Sequence, residues 1–213
     1  MYTIPMSTIR AILPTIPKKD VRFYLVGACL DLDAGRIVAT DGHRMIVCEG
    51  PKVAGGGRYI IPRDALAAIT KSGGKREAAT LTFGDTYGSA GGSPVRDFTL
   101  SAGGFTVTGR TIDGTFPDYQ RVIPKRFNGQ ITQYNADYLA DAKAALTEYF
   151  GFRKGIVPRL EHNGPAAGVM HVNRPGCFVV IMPMRTDDAM DRDMAAFIDC
   201  MIPDPVKEAA AAA

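Results

Sequence analysis

Few residues of this chain are arranged for bond-making chemistry. Asp41 and His43 stand two apart, as an acid–base pair would, but no serine or cysteine nucleophile accompanies them in a recognisable motif. His162, His171 and Cys177 supply zinc-type donors, yet their spacings match no common site and they fall on expected strands or turns. Gly55-Gly56-Gly57 and Gly73-Gly74-Lys75 lack the pattern of a phosphate-binding loop and its following hydroxyl, so they read as turns. No catalytic residue, metal site or cofactor is expected. Cys29, Cys48, Cys177 and Cys200 are scattered with no CxxC pair, and are read as small buried hydrophobes rather than disulfide partners.

The chemistry that remains is binding, and it is carried by cations. Arg10, Lys18 and Lys19 fall on or just after one expected helix. Lys71, Lys75 and Arg76 do so for a second, and Lys143, Arg153 and Lys154 for a third. If the apolar faces of these helices pack on sheets, each shows a basic side to solvent. That arrangement suits contact with phosphates without regard to base sequence. No recognition helix or zinc-finger spacing points to base reading. The net charge of +3 hides an asymmetry. After Arg185 stand seven acids (Asp187, Asp188, Asp191, Asp193, Asp199, Asp204, Glu208) against Arg192 and Lys207. Residues 1–185 therefore carry 23 basic and 15 acidic side chains, a net of +8. A polyanion partner for the body is one reading, and a solvated basic surface is the other.

The elements that position these residues repeat. Tyr2-Thr3-Ile4-Pro5 leads into Met6–Ile12, Tyr59-Ile60-Ile61-Pro62 into Arg63–Ile69, and Gln133-Tyr134-Asn135 into Ala136–Ala142. Each junction predicts a short strand followed by a helix, with Ser7, Asp64 and Asp137 as capping residues, and in the first two a proline (Pro5, Pro62) at the entry. Ile9/Ile12, Leu66/Ile69 and Leu139/Ala142 then place apolar residues on one helical face. Strands are expected over Arg22–Leu30, Arg36–Thr40 and His43–Cys48. In the second copy they are Thr80–Phe83, Val95–Leu100 and Phe105–Arg110, with turns at Gly91-Gly92 and Gly103-Gly104. In the third they are Val157–Glu161, Gly168–Val172 and Cys177–Met182. The chain reads as an α+β protein of three β-α-β-β-β copies, or as an ordinary α+β domain with internal similarity. Apolar residues make up 46%, enough for a packed core. No apolar run approaches the ~18 residues of a membrane span and Met1–Pro5 shows no signal-peptide pattern, so a cytoplasmic protein with no membrane partner is expected.

Three motifs occur in order along these copies. Val38-Ala39-Thr40-Asp41-Gly42-His43-Arg44-Met45 follows Val21–Gly27, the segment Ile112–Pro124 closes the second copy, and Val179-Val180-Ile181-Met182-Pro183-Met184-Arg185 closes the third. Together they resemble the β subunit of bacterial DNA polymerase III, the sliding-clamp family, over about residues 1–185. The resemblance implies a DNA clamp fold of about one and a half clamp domains, in a shortened, phage-type member. Residues 1–124 would form a complete domain like the family's middle one, 125–185 half of the last one, and 186–213 an acidic, helical or partly disordered tail. No counterpart of the family's first domain is found.

By the same resemblance, partners insert a short peptide into a pocket formed by Leu25, Thr40, Gly42, His43, Arg44, Met45, Pro117, Arg121, Val122, Val180, Met182, Pro183, Met184 and Arg185. Leu25, Met45, Val122, Val180, Met182 and Met184 would give an adaptable apolar lining. Arg44, Arg121 and Arg185 would hold peptide carbonyls or an acidic flank, and Gly42 would permit the turn before His43. Phe23 and Tyr24 match a family loop that touches DNA, and are otherwise strand aromatics of a core. The implied function is a non-catalytic processivity factor that encircles duplex DNA and tethers polymerase and clamp loader through short peptide motifs. A clamp-like adaptor or decoy that does not encircle DNA is the alternative. Since family rings hold twelve units, three per chain imply a homotetramer if the ring closes.

Overall fold

The computed structural model describes residues 1–71, 74, 77–88, 94–152 and 156–185. The chain falls into two units, Met1–Pro183 and Met184–Ala213, and of the second only Met184 and Arg185 are described. The expected tail at 186–213, the Gly91-Gly92 turn, and Lys75, Arg76, Arg153 and Lys154 lie outside the described residues.

Two of the three α-helices among the described residues begin where a proline ends a strand. Strand β1 (Tyr2–Pro5) runs into helix α1 (Met6–Ile12). Strands β2 (Gly27–Asp31), β3 (Arg36–Thr40) and β4 (Arg44–Glu49) follow. Strand β5 (Arg58–Pro62) runs in the same way into α2 (Arg63–Ile69), followed by β6 (Ala78–Tyr87), β7 (Val95–Ala102) and β8 (Phe105–Arg110). The third copy has α3 (Ala136–Phe150), β9 (Arg159–Glu161), β10 (Gly168–His171) and β11 (Cys177–Ile181), with no strand over 133–135.

The helix caps differ from expectation. Pro5 and Pro62 are the N-caps of α1 and α2, at φ −57° and −58°, which moves Ser7 and Asp64 into the first turn. Proline offers no side-chain acceptor, so the first amides look elsewhere. Met6 N donates to Glu77 O and Arg63 N to Val26 O, both at 3.0 Å. In α3 the cap is Asn135, whose side chain accepts from Asp137 N at 2.8 Å. Gly151, at φ +67°, ends that helix in the left-handed conformation that glycine adopts without strain.

All strand pairs among the described residues are antiparallel, and the first two copies exchange their opening strands. β1 pairs with β6 of the second copy, giving a four-stranded sheet β1-β6-β7-β8. β5 pairs with β2 of the first copy, and β4 pairs with β11, giving a seven-stranded sheet β5-β2-β3-β4-β11-β10-β9. The helices α1 and α2 have seven residues each, too short to hold alone, so packing keeps them. Met6, Ile9, Ile12, Leu66 and Ile69 are buried against Ile37, Ala39, Ile46, Leu81, Leu100, Val179 and Ile181. Each such side chain contributes about 2 kcal/mol by leaving water. On the opposite face of the seven-stranded sheet a second cluster gathers Leu25, Cys29, Val38, Met45, Val47, Ile60, Val169 and Val180 under Phe116 and Tyr119.

The strand expected over Arg22–Leu30 is shorter than that. Phe23–Leu25 forms a 3-10 turn, because Leu25 N bonds Arg22 O at 2.8 Å and Val26 N bonds Phe23 O at 3.0 Å. The strand starts at Gly27, where a β-carbon would stand 2.6 Å from Ile61 O of the neighbouring strand. Two boundaries, Arg36–Thr40 and Phe105–Arg110, coincide with those expected.

Candidate functional site

The site is built on the turn between β3 and β4. Asp41 Oδ1 accepts from the backbone amides of His43 and Arg44, both at 2.9 Å, and Thr40 Oγ1 accepts from Gly42 N at 3.0 Å while donating to Arg44 O at 2.8 Å. Gly42 has φ +92°, and a β-carbon there would meet Arg22 Nη1 at 2.7 Å. The positive φ favours glycine, whereas the Arg22 side-chain tip could swing aside from a β-carbon. The Asp41 carboxylate is consumed by this turn and by Arg44 Nε at 3.0 Å, so it does not pair with His43 as a base.

Arg44 leaves the turn in the direction of α3. Its Nη1 bonds Asp141 Oδ2 at 2.6 Å, its Nη2 donates to Pro14 O at 3.2 Å, and its guanidinium lies 4.7 Å from the Tyr138 ring centre. Burial works against its charge, and the Asp141 and Asp41 carboxylates more than offset that, leaving the pKa raised. The guanidinium expected to be available to a peptide is thus occupied within the chain. His43 stacks on Tyr138 as well, with ring centres 6.1 Å apart.

Two further segments close the site. β11 delivers Val180, and Met182 just beyond it donates its N–H to His43 O at 2.9 Å. The segment after β8 crosses the sheet, tied down by Ile112 N to Ile60 O at 2.9 Å. Tyr119 then donates its hydroxyl to Asp31 Oδ2 at 3.0 Å, where Arg58 Nε also bonds at 2.8 Å. Asp31 is 1% exposed, so this network compensates a buried charge. Burial raises the Tyr119 pKa, and the phenol stays a donor at neutral pH.

A cavity of about 240 Å³ lies between these parts. Ten of the expected pocket residues line it: Leu25, Thr40, Gly42, His43, Arg44, Met45, Pro117, Val122, Val180 and Met182. Arg121 instead borders a separate hollow with Gln120 and Lys125, and Pro183 does not reach the lining. Met184 and Arg185 belong to the second unit and are exposed. Four lining residues were not expected there: Arg22, Tyr24, Asp118 and Tyr119. Tyr24 was read as a DNA contact. Arg22 grips Asp20 at 2.7 Å, and nothing in its spacing marked it for the cavity. The Arg22 hydrogen bonds lower the Asp20 pKa to about 2.

The expected DNA contacts divide. Lys18, Lys19, Lys71 and Lys143 are exposed, and Phe23 is 54% exposed beside Tyr24. Arg10 turns toward α3, 3.9 Å from Glu148, with its side chain 19% exposed. Among the described residues there is no group of three or more candidate metal ligands, and no helix long and apolar enough to cross a membrane.

Solved sliding clamps share this architecture. The structure aligns with a Pseudomonas aeruginosa sliding clamp bound to griselimycin at TM-score 0.65 and 19% identity, covering 86% of this chain and 65% of that one. A Helicobacter pylori β clamp bound to a DNA ligase peptide aligns at TM-score 0.62 and 16% identity, covering 86% and 65%. The fold is an α+β DNA clamp fold built from β-α-β-β-β repeats. In sequence, residues 6–118 match the model of the DNA polymerase III beta subunit, central domain. The beta sliding clamp of Salmonella typhimurium is 30% identical over 164 residues, 71% of this chain and 42% of that protein. The Pseudomonas aeruginosa protein is 31% identical over 133 residues, 58% and 34%. The chain belongs to the DNA polymerase III beta subunit family. It spans less than half the length of these curated relatives.

Proposed function

We propose that the chain is a non-catalytic, sliding-clamp-like processivity factor that holds duplex DNA without regard to sequence and tethers polymerase, loader or repair proteins through a short peptide. The observation that carries this is the convergence of ten predicted residues, from four separated segments, on one apolar-lined cavity. Thr40, Gly42 and Asp41 fix its turn, while Met45 and Met182 give it a surface that repacks around different side chains. Arg22 and His43 at the rim suit peptide carbonyls or an acidic flank. Residues 1–124 act in this reading as one complete clamp domain and 125–185 as half of another, with β4 and β11 as the joint.

Encirclement requires several copies. β8, at one end of the four-stranded sheet, has a sheet neighbour on one side only among the described residues, and so does β9 at one end of the seven-stranded sheet. Such edges invite a strand from a second chain. Four chains would complete twelve repeats. The second reading, an adaptor that binds peptides without encircling DNA, draws support from Arg10, which faces Glu148 rather than open solvent.

Titration with a labelled DNA ligase peptide of the kind bound by the Helicobacter pylori clamp tests the pocket. Saturable binding that Met182→Asp abolishes is expected, and its absence in the folded protein would sink the tethering role. Native mass and retention on closed circular DNA separate the two readings. A tetramer that slides off only after linearisation supports the ring, whereas a monomer that binds peptide supports the adaptor.

A further inference from the structure

We propose that Cys48 and Cys177 form an oxidative modification site, a thiol pair that closes into a disulfide and covalently locks β11 to β4. The two Sγ atoms lie 3.2 Å apart, and the residues are 0% and 2% exposed. They stand directly opposite each other in the register of the antiparallel pair.

The ladder fixes what kind of pair this is. Glu49 N donates to Gly176 O at 2.6 Å at one end, and Met182 N to His43 O at 2.9 Å at the other. Opposed residues alternate between hydrogen-bonded and non-hydrogen-bonded sites, so counting inward from either end makes Cys48 and Cys177 a non-hydrogen-bonded pair. Such pairs bring side chains closest, with Cα atoms roughly 4.5 Å apart. That spacing lies within the ~4.4–6.8 Å that disulfides bridge. Cys29 lies on the opposite sheet face, in the second core cluster, and has no thiol opposite it in the ladder: its neighbour there is Val38.

The location gives the bond its consequence. Among the described residues, β4 with β11 is the only strand pairing that joins residues 1–124 to 125–185. The linked residues are 129 apart in sequence, so the disulfide would close a large loop of the unfolded chain. The same two strands supply Met45 and Val180 to the cavity at their other end, and Met182 follows β11 directly. Oxidation therefore fastens the third repeat in place and fixes the two strands that carry the pocket floor.

A low-molecular-weight disulfide such as oxidised glutathione serves as oxidant. One cysteine thiolate attacks it, forming a mixed disulfide and releasing one glutathione thiol. The second cysteine then attacks the protein-side sulfur, forming the Cys48–Cys177 bond and releasing the other. Two electrons pass from the cysteine pair to the oxidant, and both protons end on glutathione. Burial, with the neighbouring thiol adding, holds the Cys48 thiol well above its ordinary range, so the pair rests reduced until β11 transiently opens.

The full chain is incubated natively with oxidised glutathione, alkylated in denaturant and digested. The expected product is one linked peptide pair containing Cys48 and Cys177, with a thermal midpoint raised on the order of 10 °C and restored by dithiothreitol. Cys29→Ser should leave the link intact and Cys48→Ser should remove the shift. Stable glutathione adducts, a link to another cysteine, or four unreacted thiols would overturn the site, and a link without a rise in midpoint would overturn the locking role. If Cys48→Ser does not fold, the peptide map of the unsubstituted chain decides alone. None of these readouts depends on peptide or DNA binding.

Discussion

Arg44 and Asp141, 97 residues apart in the chain, meet at 2.6 Å. One partner stands at the start of β4 beside the cavity and the other on α3, so the turn that shapes the site is braced by a helix of a different repeat. Arg44→Ala strips contacts from Asp41, Asp141, Pro14 and Tyr138 at once. Urea unfolding should show a loss of about 2 kcal/mol. Asp141→Asn should cost well under half of that, since the Asp141 side chain is 48% exposed and water screens the pair. The reverse order would mean that Arg44 is not the organising residue.

Met182 is 44% exposed and adds little to the core, yet it lines the cavity. Met182→Ala should weaken the ligase peptide about tenfold while leaving the unfolding midpoint unchanged. Equal affinity in calorimetry would remove Met182 from the binding surface.

Alkali should weaken the fold. Burial, with the Asp31 carboxylate adding, pushes the Cys29 thiol from 9.0 up to about 12. Between those values the unfolded chain has lost the proton and the folded chain keeps it. Unfolding then releases a proton, so stability is intact below pH 9 and falls as pH rises toward 12. The Cys29 contribution at pH 10 is about 1 kcal/mol. Burial raises the Tyr119 and Tyr149 phenols too, which acts in the same direction. Cys29→Ala should flatten the fall between pH 8 and 10 relative to its own value at pH 8. An unchanged slope would show that the thiol is not the titrating group.

Lys18, Lys19 and Lys71 are exposed. Replacing all three with glutamine should weaken duplex binding equally for unrelated sequences, and reduce the slope of log affinity against log salt by about 3. A slope that does not move would assign these lysines to plain solvation and favour the adaptor.

The repeat was legible because a strand, a proline and a three-spaced apolar pair leave a local mark at Pro5 and Pro62. The exchange of β1 and β5 between repeats was not. Its information lies in the pairing of Tyr2 with Leu81 and of Tyr59 with Leu30, which no window of sequence contains. Phe23 and Tyr24 carry strand-type side chains, and the Arg22–Leu25 hydrogen bond overrides that preference. Gly42 could be read as a turn from its neighbours. Arg44 could not be read as a brace, because its partners Pro14, Tyr138 and Asp141 come from distant segments.

The exchange of opening strands also orders assembly in time. β1 has no sheet partner until Leu81 and its neighbours have left the ribosome, and β2 meets its outer neighbour only when β5 emerges. Neither repeat can finish folding as a nascent unit. A ribosome that has released β5 but not yet β6 would hold a chain with its seven-stranded sheet begun and β1 still open, a template for the nearest unpaired strand.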